Sequence, residues 1–578
     1  MDHNAKTGNT YSRPLGDFLD PVTATKADII GIRGGASSVS LPSVIITGLE
    51  YDSRKAGEGA LYFALPGLHT DGHDFINDAI NRGAAAVIHQ HELAEYREGI
   101  TYIRVKDSRF AMSPIADSFY NYPSRRMGII GVTGTEGKST TVYLIYQLLK
   151  LLGKKTGFIS TVQSGDGLFE SWNSEHQTTP EAPTIHRLLA DMYRNGAEYA
   201  VLESSSHGLS KRTNRLGDVA FDAAVMTNVT HEHLEFHGTW EQYRADKAEL
   251  FRSLDTSPLS HKKLFPAGEF SVPSFGVVNA DDPSADFFAA ATKRKTYKFS
   301  TRGADADLSL RLIESGSQSN WYEVFVDASG ATLTIRDQLP GSFNSGNVLA
   351  ALLVVSNLLS REIEDLVTLV PLLKPVRGRM TAINRGQPFE VLVDYAHTPS
   401  SFEAVLPPIR ERLNSKGHRL ISLFGCPGER DTQKRFLQGE IAARYSDIII
   451  LADEDPRGEE PMTILEEIAQ GCEIAQGREA DQSRETDQGG PTDRSREAPL
   501  MKRGETLFLI PNRASAIRKA FSLAKQGDLV LLLGKGHENS IIYADGPIPW
   551  DEISEAEKAL EEAGYTGQLA ANGTVKAH

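Results

Sequence analysis

Residues 129–149 read IIGVTGTEGKSTTVYLIYQLL. The apolar, β-branched run before Thr133 predicts a buried strand. Lys138 onward has the periodicity of a helix. Between them lies the loop Gly134-Thr135-Glu136-Gly137. Backbone N–H groups of such a loop, together with the helix N-terminus, form a phosphate site. The usual spacing, G-x-x-x-x-G-K-[ST], requires glycine at position 132, where this chain has Val132. Its glycines stand at 131, 134 and 137, which fits the shorter form G-T-x-G-K-[ST]. Lys138 is then the cation for the outer phosphates, and Ser139 and Thr140 supply hydroxyls at the helix start, that of Ser139 suited to Mg²⁺. A glycine-rich turn with a chance lysine is the plainer alternative; strand, loop, G-K-S-T and helix in that order weigh against it.

The same alternation extends outward. AAAVIH, AEYAVLE, FDAAVMTN, SFGVVNA, RLISLFG, SDIIILAD and GDLVLLLGKG are short buried-strand patterns, most of them followed by a polar turn and a helical stretch. This predicts an α/β chain with mostly parallel sheets, whose ligands sit at the carboxyl ends of the strands. A chain of 578 residues is long enough for several domains. Breaks near Pro123 and at LLKPVRGRM divide it into residues 1–124, 125–372 and 373–578. Residues 476–498, QGREADQSRETDQGGPTDRSREA, have almost nothing to bury and are expected to be a disordered polar insertion. The formal net charge of −15 argues against nucleic-acid or anionic-membrane binding. Two cysteines, Cys426 and Cys472, are too few for a disulfide framework. With no signal-like N-terminus and no membrane span, a cytoplasmic protein is expected, and a monomer. NVLAALLVVSNLL (residues 347–359) reads as a buried helix.

The loop resembles the ATP loop of the Mur ligases and their folylpolyglutamate synthetase relatives, which couple a carboxylate to an amine at the cost of ATP. Glu136 departs from the asparagine common there. The resemblance implies three domains: a UDP-binding α/β domain, a central P-loop ATPase and a Rossmann-like C-terminal domain.

Two further motifs carry it. AEYAVLE ends in Glu203. FDAAVMTN ends in Asn228, which opens N-V-T-H-E-H-L-E-F-H-G-T, and Y-R-A-D-K-A-E-L-F comes after it, within residues 228–251. From spacing alone His233 is as well read as a turn residue, and Lys247 as an exposed helix lysine. The family implies that Ser139, Glu203 and His233 serve Mg²⁺ and that Lys247 is carbamylated. A carbamate would turn a repelling ammonium into an anionic oxygen ligand. Asn279, Asn344, Arg379 and Asp394 fall where the family meets ATP.

The segment ITGLEYDSRKAGEGALYFALPGLHTDGHDFINDAINRGAAAVI (residues 46–88) is similar to the uridine-binding domain of the family member that adds the third residue of the peptidoglycan stem peptide. By that likeness Ser53 and Leu68, His69 and Thr70 meet the UDP portion; Asp52 and Arg54 have a plainer reading as a turn staple. HQTTPEAPTIHRLL matches the muramoyl-peptide segment, with Thr178 and Thr179, although helix capping would explain one threonine equally well. Ser205 takes the family serine's place, and Arg215 is preferred to Arg212 as the family arginine. The amino-acid pocket corresponds to Arg430, Asp455, Pro456, Arg457, Gly534 and Glu538. Diaminopimelate-adding members read D-N-P-R, whereas this chain reads E-D-P-R. Asp455 adds negative charge that favours lysine or ornithine; Arg457 favours the distal carboxylate of meso-diaminopimelate; an Asp455–Arg457 pair would cancel.

The implied reaction is ATP-dependent ligation of a diamino acid to UDP-N-acetylmuramoyl-L-alanyl-D-glutamate through an acyl phosphate. The alternatives are another Mur-type or folylpolyglutamate-type ligase, a P-loop NTPase switch, and an inactive binding homologue.

Overall fold

The computed structural model describes residues 11–34, 43–67, 70–172, 177–230, 234–256, 261–265, 268–315, 319–485 and 501–567. Three α/β sheets organise them. The N-terminal sheet has five strands in the order Ile29–Gly34, Thr101–Val105, Ala86–His89, Ala60–Phe63, Gly48–Glu50. All of its pairings are parallel except the first. The central sheet has eleven strands. At its heart Thr156–Ile159, Tyr199–Glu203, Gly128–Thr133, Ala223–Met226 and Phe275–Asn279 lie side by side and parallel. The P-loop strand Gly128–Thr133 is therefore flanked by the strands that end in Glu203 and that lead into Thr227 and Asn228. These strands are buried throughout or nearly so, which is why they read as continuous apolar runs rather than as alternation.

Most of the N-terminal and central domains belongs to one compact unit; residues 374–578, with the short segments 314–320 and 338–342, belong to a second. Within the first unit the helix Ser108–Phe119 packs against Ala182–Arg194. Arg109 pairs with Glu181, Lys26 with Asp218, and the Tyr11 hydroxyl bonds Asp191 across the same seam. At its centre are His186 and Asp117, both fully or almost fully buried, with Nδ1 and Oδ1 3.5 Å apart. The helix Asn344–Leu359 is buried along most of its length, as its composition predicts.

The second unit holds a six-stranded sheet in the order Thr381–Ile383, Glu390–Val393, Leu529–Leu532, Leu420–Phe424, Ile448–Leu451, Leu507–Leu509. It is parallel apart from the first pair. The expected disordered insertion is corrected in part: the helix Pro461–Glu485 runs through its first ten positions, and the remainder lies outside the described residues. Glutamine, glutamate, arginine and alanine are good helix formers, which favours continuation of the helix through these positions. Among the described residues no helix is long and apolar enough to cross a membrane.

Candidate active site

The loop after Gly128–Thr133 is held by the turn after the neighbouring strand. Thr135 N–H donates to Asn228 O (2.8 Å), and Glu136 N–H donates to Asn228 Oδ1 (2.8 Å). Thr227 Oγ1 and Asn228 Nδ2 both donate to Glu136 O, at 2.6 and 3.1 Å. Gly134 and Gly137 are required by space and by backbone. Gly134 has φ +153°, and a Cβ there would lie 1.9 Å from Thr227 Oγ1; Gly137 has φ +82°, and a Cβ there would lie 2.5 Å from Asn347 Oδ1. Gly137 also caps the fourteen-residue helix Lys138–Leu151 with no side-chain acceptor for its first N–H groups. That leaves the helix N-terminus as an anion cradle and fits a polyphosphate. Lys138 Nζ folds back onto Thr135 O at 2.7 Å. Asn344, buried, accepts from Asn347 Nδ2 (2.9 Å), and Asn347 in turn accepts from Thr141.

Ser139 Oγ donates to Glu203 Oε2 at 2.8 Å, and Thr161 N–H donates to the same oxygen at 2.8 Å. Both side chains are buried, and their oxygens are the donor type Mg²⁺ prefers. Lys247 is 2% exposed, not the surface lysine its helix position allows. Its Nζ donates to Gly134 O at 2.6 Å and lies over the Tyr243 ring. A carbamate nitrogen keeps one hydrogen, so this bond is compatible with carbamylation. Tyr243 OH in turn meets Thr135 Oγ1 at 3.0 Å. His237 is bonded to Asp246 and to Ser206 Oγ. His233 lies outside the described residues. Beside the loop, Asn228, Thr230, Asn279, Asp282, Thr301 and Arg302 line a pocket of about 440 Å³, a size suited to a base and sugar. Asn279 Nδ2 anchors to Thr227 O (2.9 Å), which joins this pocket to the loop.

The segment around Thr178 and Thr179 meets the same strand end. Thr179 Oγ1 donates to Glu203 O and accepts from Ser205 N–H, both at 3.0 Å. The helix after it is capped at Glu181 without a side-chain bond, so helix capping does not account for either threonine; Thr178 is half-buried. Ser205 caps the short helix Ser206–Leu209. Arg215 donates to Thr179 O and Glu181 Oε1, both at 2.8 Å, whereas Arg212 reaches outward to Phe236 O. Arg215 is thus tied to the threonine segment and Arg212 is not.

In the N-terminal domain Ser53 is buried in a tight turn capped by Asp52. Arg54 grips Asp52 with two bonds (2.9 and 2.8 Å) and lowers its pKa. This is the staple that the plainer reading expects. Thr70 is exposed; Leu68 and His69 lie outside the described residues.

The second unit gathers the rest. Asp394 accepts from Met380 N–H and Ala396 N–H (2.8 Å each), and burial raises its pKa. The Arg379 guanidinium stacks on Tyr395. Asp455 does not pair with Arg457: its Oδ1 accepts from Lys535 Nζ at 2.8 Å and from Ile542 N–H at 3.0 Å. Lys535 is fully buried and also bonds Glu538. Burial opposes its charge, but Glu538 and Asp455 hold its pKa above the ordinary value. Glu454, which the motif reading passed over, is 6% exposed, and its Oε2 has no hydrogen-bond partner among the described residues. Burial pushes its carboxyl up to about 7. That oxygen faces Gly534, where a Cβ would lie 3.0 Å away. Arg457 is half-buried with φ +55°, next to the buried Pro456, and Arg430 is exposed.

Comparison with known proteins accounts for these three regions in order. Residues 132–355 match the Mur ligase middle domain, 378–536 the Mur ligase glutamate ligase domain, and 45–120 the Mur ligase family catalytic domain. A UDP-N-acetylmuramyl-tripeptide synthetase of Treponema denticola is 48% identical over 546 residues, covering 90% of this chain and 95% of its own. The chain belongs to the Mur ligase family. A diaminopimelate ligase of this family from Geobacillus kaustophilus is 34% identical over 522 residues, covering 90% of this chain and 96% of its own. A solved UDP-N-acetylmuramoyl-L-alanyl-D-glutamate–2,6-diaminopimelate ligase superposes with a TM-score of 0.55 at 26% identity, covering 92% of this chain and 98% of its own. This Mur ligase is therefore an ATP-dependent amide ligase of peptidoglycan synthesis with the family's three-domain α/β fold.

Proposed function

We propose that this ligase joins a diamino acid with a lone side-chain ammonium, lysine or ornithine, to the D-glutamate γ-carboxylate of UDP-N-acetylmuramoyl-L-alanyl-D-glutamate. One observation carries the choice of amino acid: the buried Glu454 carboxylate beside Gly534, whose Oε2 has no hydrogen-bond partner among the described residues. Asp455 alone does not select a cation, because Lys535 pairs with it. Glu454 remains an acid raised by burial, and a ligand ammonium would restore its charged form. A distal carboxylate would add a like charge there. Arg457 favours the second reading, meso-diaminopimelate, in keeping with the name of the Geobacillus relative.

The first unit supplies the activation chemistry. The loop Gly134–Thr140 cradles the triphosphate, and Lys138 leaves Thr135 O to meet the outer phosphates. Mg²⁺, when bound, offsets polyphosphate charge, and the residues proposed to hold it are Ser139, Glu203, His233 and a carbamate on Lys247. Asn279 and Asn344 serve the nucleotide from this unit. Thr178, Thr179, Ser205 and Arg215 orient the muramoyl dipeptide, and Ser53 with residues 68–70 hold its uridine end. The γ-phosphoryl group passes to the D-glutamate carboxylate, with ADP as leaving group. The amine then attacks the acyl carbon and phosphate leaves. ATP and UDP-linked precursors place the reaction in the cytoplasm.

Phosphate release by the purified protein, measured with the UDP-dipeptide and each of lysine, ornithine and meso-diaminopimelate, tests this. Turnover is expected with lysine or ornithine and to require the UDP-dipeptide. Turnover with meso-diaminopimelate alone would overturn the amino-acid assignment.

A further inference from the structure

The two loops proposed to meet the incoming amino acid, residues 425–431 and 453–460, are stitched together along their length. Gly428 N–H donates to Asp455 O at 2.8 Å. A Cβ on Gly428 would lie 2.0 Å from Pro456 O, and one on Gly425 2.0 Å from Ala452 O, so the two backbones touch. Each loop also holds a non-glycine residue in the left-handed region, Glu429 at φ +56° and Arg457 at φ +55°. Such a conformation is strained for a residue with a side chain and persists only where its surroundings enforce it. Arg430 follows one of these residues, and Arg457 is the other. The aim of both guanidinium groups therefore depends on backbone that cannot hold itself.

Arg435, 1% exposed on the helix Gln433–Tyr445, supplies the restraint. Its guanidinium grips Glu459 at both oxygens, 3.0 Å each, and donates to Pro427 O at 3.2 Å. A further bond runs to Glu467 at 2.7 Å. Glu459 Oε1 also accepts the N–H of the strained Glu429. One carboxylate from the second loop thus fastens the first loop's strained residue and the arginine behind it. The Arg435 hydrogen bonds hold the Glu459 carboxyl below the usual range.

We propose that Arg435 and Glu459 are positioning residues for the amino-acid substrate: the pair sets the register of the two loops and so governs affinity for the diamino acid. This rests on the assignment of Arg430 and Arg457 to that substrate. Glu467 provides the control, because it pairs with the same arginine from the helix Pro461–Glu485, outside both loops.

The experiment compares E459Q and E467Q in the full-length enzyme by steady-state kinetics, varying each substrate in turn. Glutamine at 459 keeps the shape but loses the paired, charge-assisted bonds, and KM for the diamino acid is expected to rise about tenfold. KM for ATP and for the UDP-dipeptide, and kcat at saturation, should stay within about twofold. E467Q should leave all of these near wild type. R435K, which keeps the charge but not the fork, should reproduce the E459Q profile. Equal effects of E459Q and E467Q, or a rise in KM for all three substrates with E459Q, would overturn the inference alone. Absence of wild-type turnover with every diamino acid would overturn the functional reading and the inference with it.

Discussion

Ser139 Oγ stands 2.8 Å from Glu203 Oε2, and this contact joins the first turn of the P-loop helix to the end of the adjacent strand. The two groups sit on elements brought side by side by the parallel pairing of Gly128–Thr133 with Tyr199–Glu203. If they share the divalent cation, E203Q should lower kcat by about a hundredfold or more, since an anionic ligand becomes a neutral one. Raising Mg²⁺ should recover only part of the loss. The fold should survive, because glutamine keeps an acceptor for Thr161 N–H. Kinetics across a Mg²⁺ titration, with circular dichroism as the folding control, provide the check.

Gly137 tests the cradle. Alanine there meets Asn347 Oδ1 at 2.5 Å and must hold φ +82°. The left-handed conformation alone costs roughly 1–2 kcal/mol. G137A should therefore lose thermal stability, and it should also lose the upward shift in melting temperature that ADP is expected to give the wild type. An unchanged ADP shift would mean that the phosphates lie elsewhere.

Lys247 tests the modification. Its burial against Tyr243 and Gly134 O leaves its Nζ enclosed in the loop's own wall. Removing CO₂ from the buffers should lower activity, and adding bicarbonate should restore it. Labelled bicarbonate should give a carbamate signal by carbon NMR that K247M lacks. Full activity of K247M would exclude a role for the group.

Arg215 and Arg212 separate on their partners. Arg215 is bound to Thr179 O and Glu181, whereas Arg212 lies over Phe236. R215K should raise KM for the UDP-dipeptide roughly tenfold, because lysine cannot reproduce the forked donation. R212K should change it little. Reversal of that order, measured with ATP and amino acid saturating, would move the substrate contact to Arg212.

The architecture was legible because buried parallel strands are apolar runs and because a phosphate loop needs glycine, lysine and a hydroxyl in a fixed order. Glu203 and Lys247 stand out only through the family resemblance, since from spacing alone Lys247 reads as an exposed helix lysine, whereas the loop could be named from such a local pattern. The pairing of Asp455 with Lys535 could not, since the two are 80 positions apart and nothing local to Asp455 favours Lys535 over Arg457. Glu454 was hidden for the same reason: that its Oε2 lacks a partner among the described residues depends on every neighbour in space, not on the motif. Thr227 and Asn228 brace the loop from the next strand, and their signal was present in the polar turn after FDAAVM. The helix through residues 476–485 was missed because burial was weighed above helix propensity.

The seam between the N-terminal and central domains carries the last prediction. Burial pushes Asp117 up to about 7 from an ordinary 3.8, with Arg125 opposing it, and burial pushes His186 down to about 4 from 6.5. A folded pKa above the unfolded one means that Asp117 contributes its stability below about pH 4 and loses it as pH rises through 7. His186 works in the opposite sense: its contribution is full above pH 6.5 and is lost as pH falls toward 4. D117N removes the first of these and leaves the second. The melting temperature of D117N relative to wild type should therefore climb steadily between pH 4.5 and pH 7.5, in line with the rise of the Asp117 carboxyl to about 7. In H186N the corresponding difference should climb as pH is lowered over the same interval, because the wild-type histidine resists a proton that the unfolded chain accepts. A flat D117N difference would mean that the carboxyl is already ionised in the folded seam, with Arg125 holding its charge.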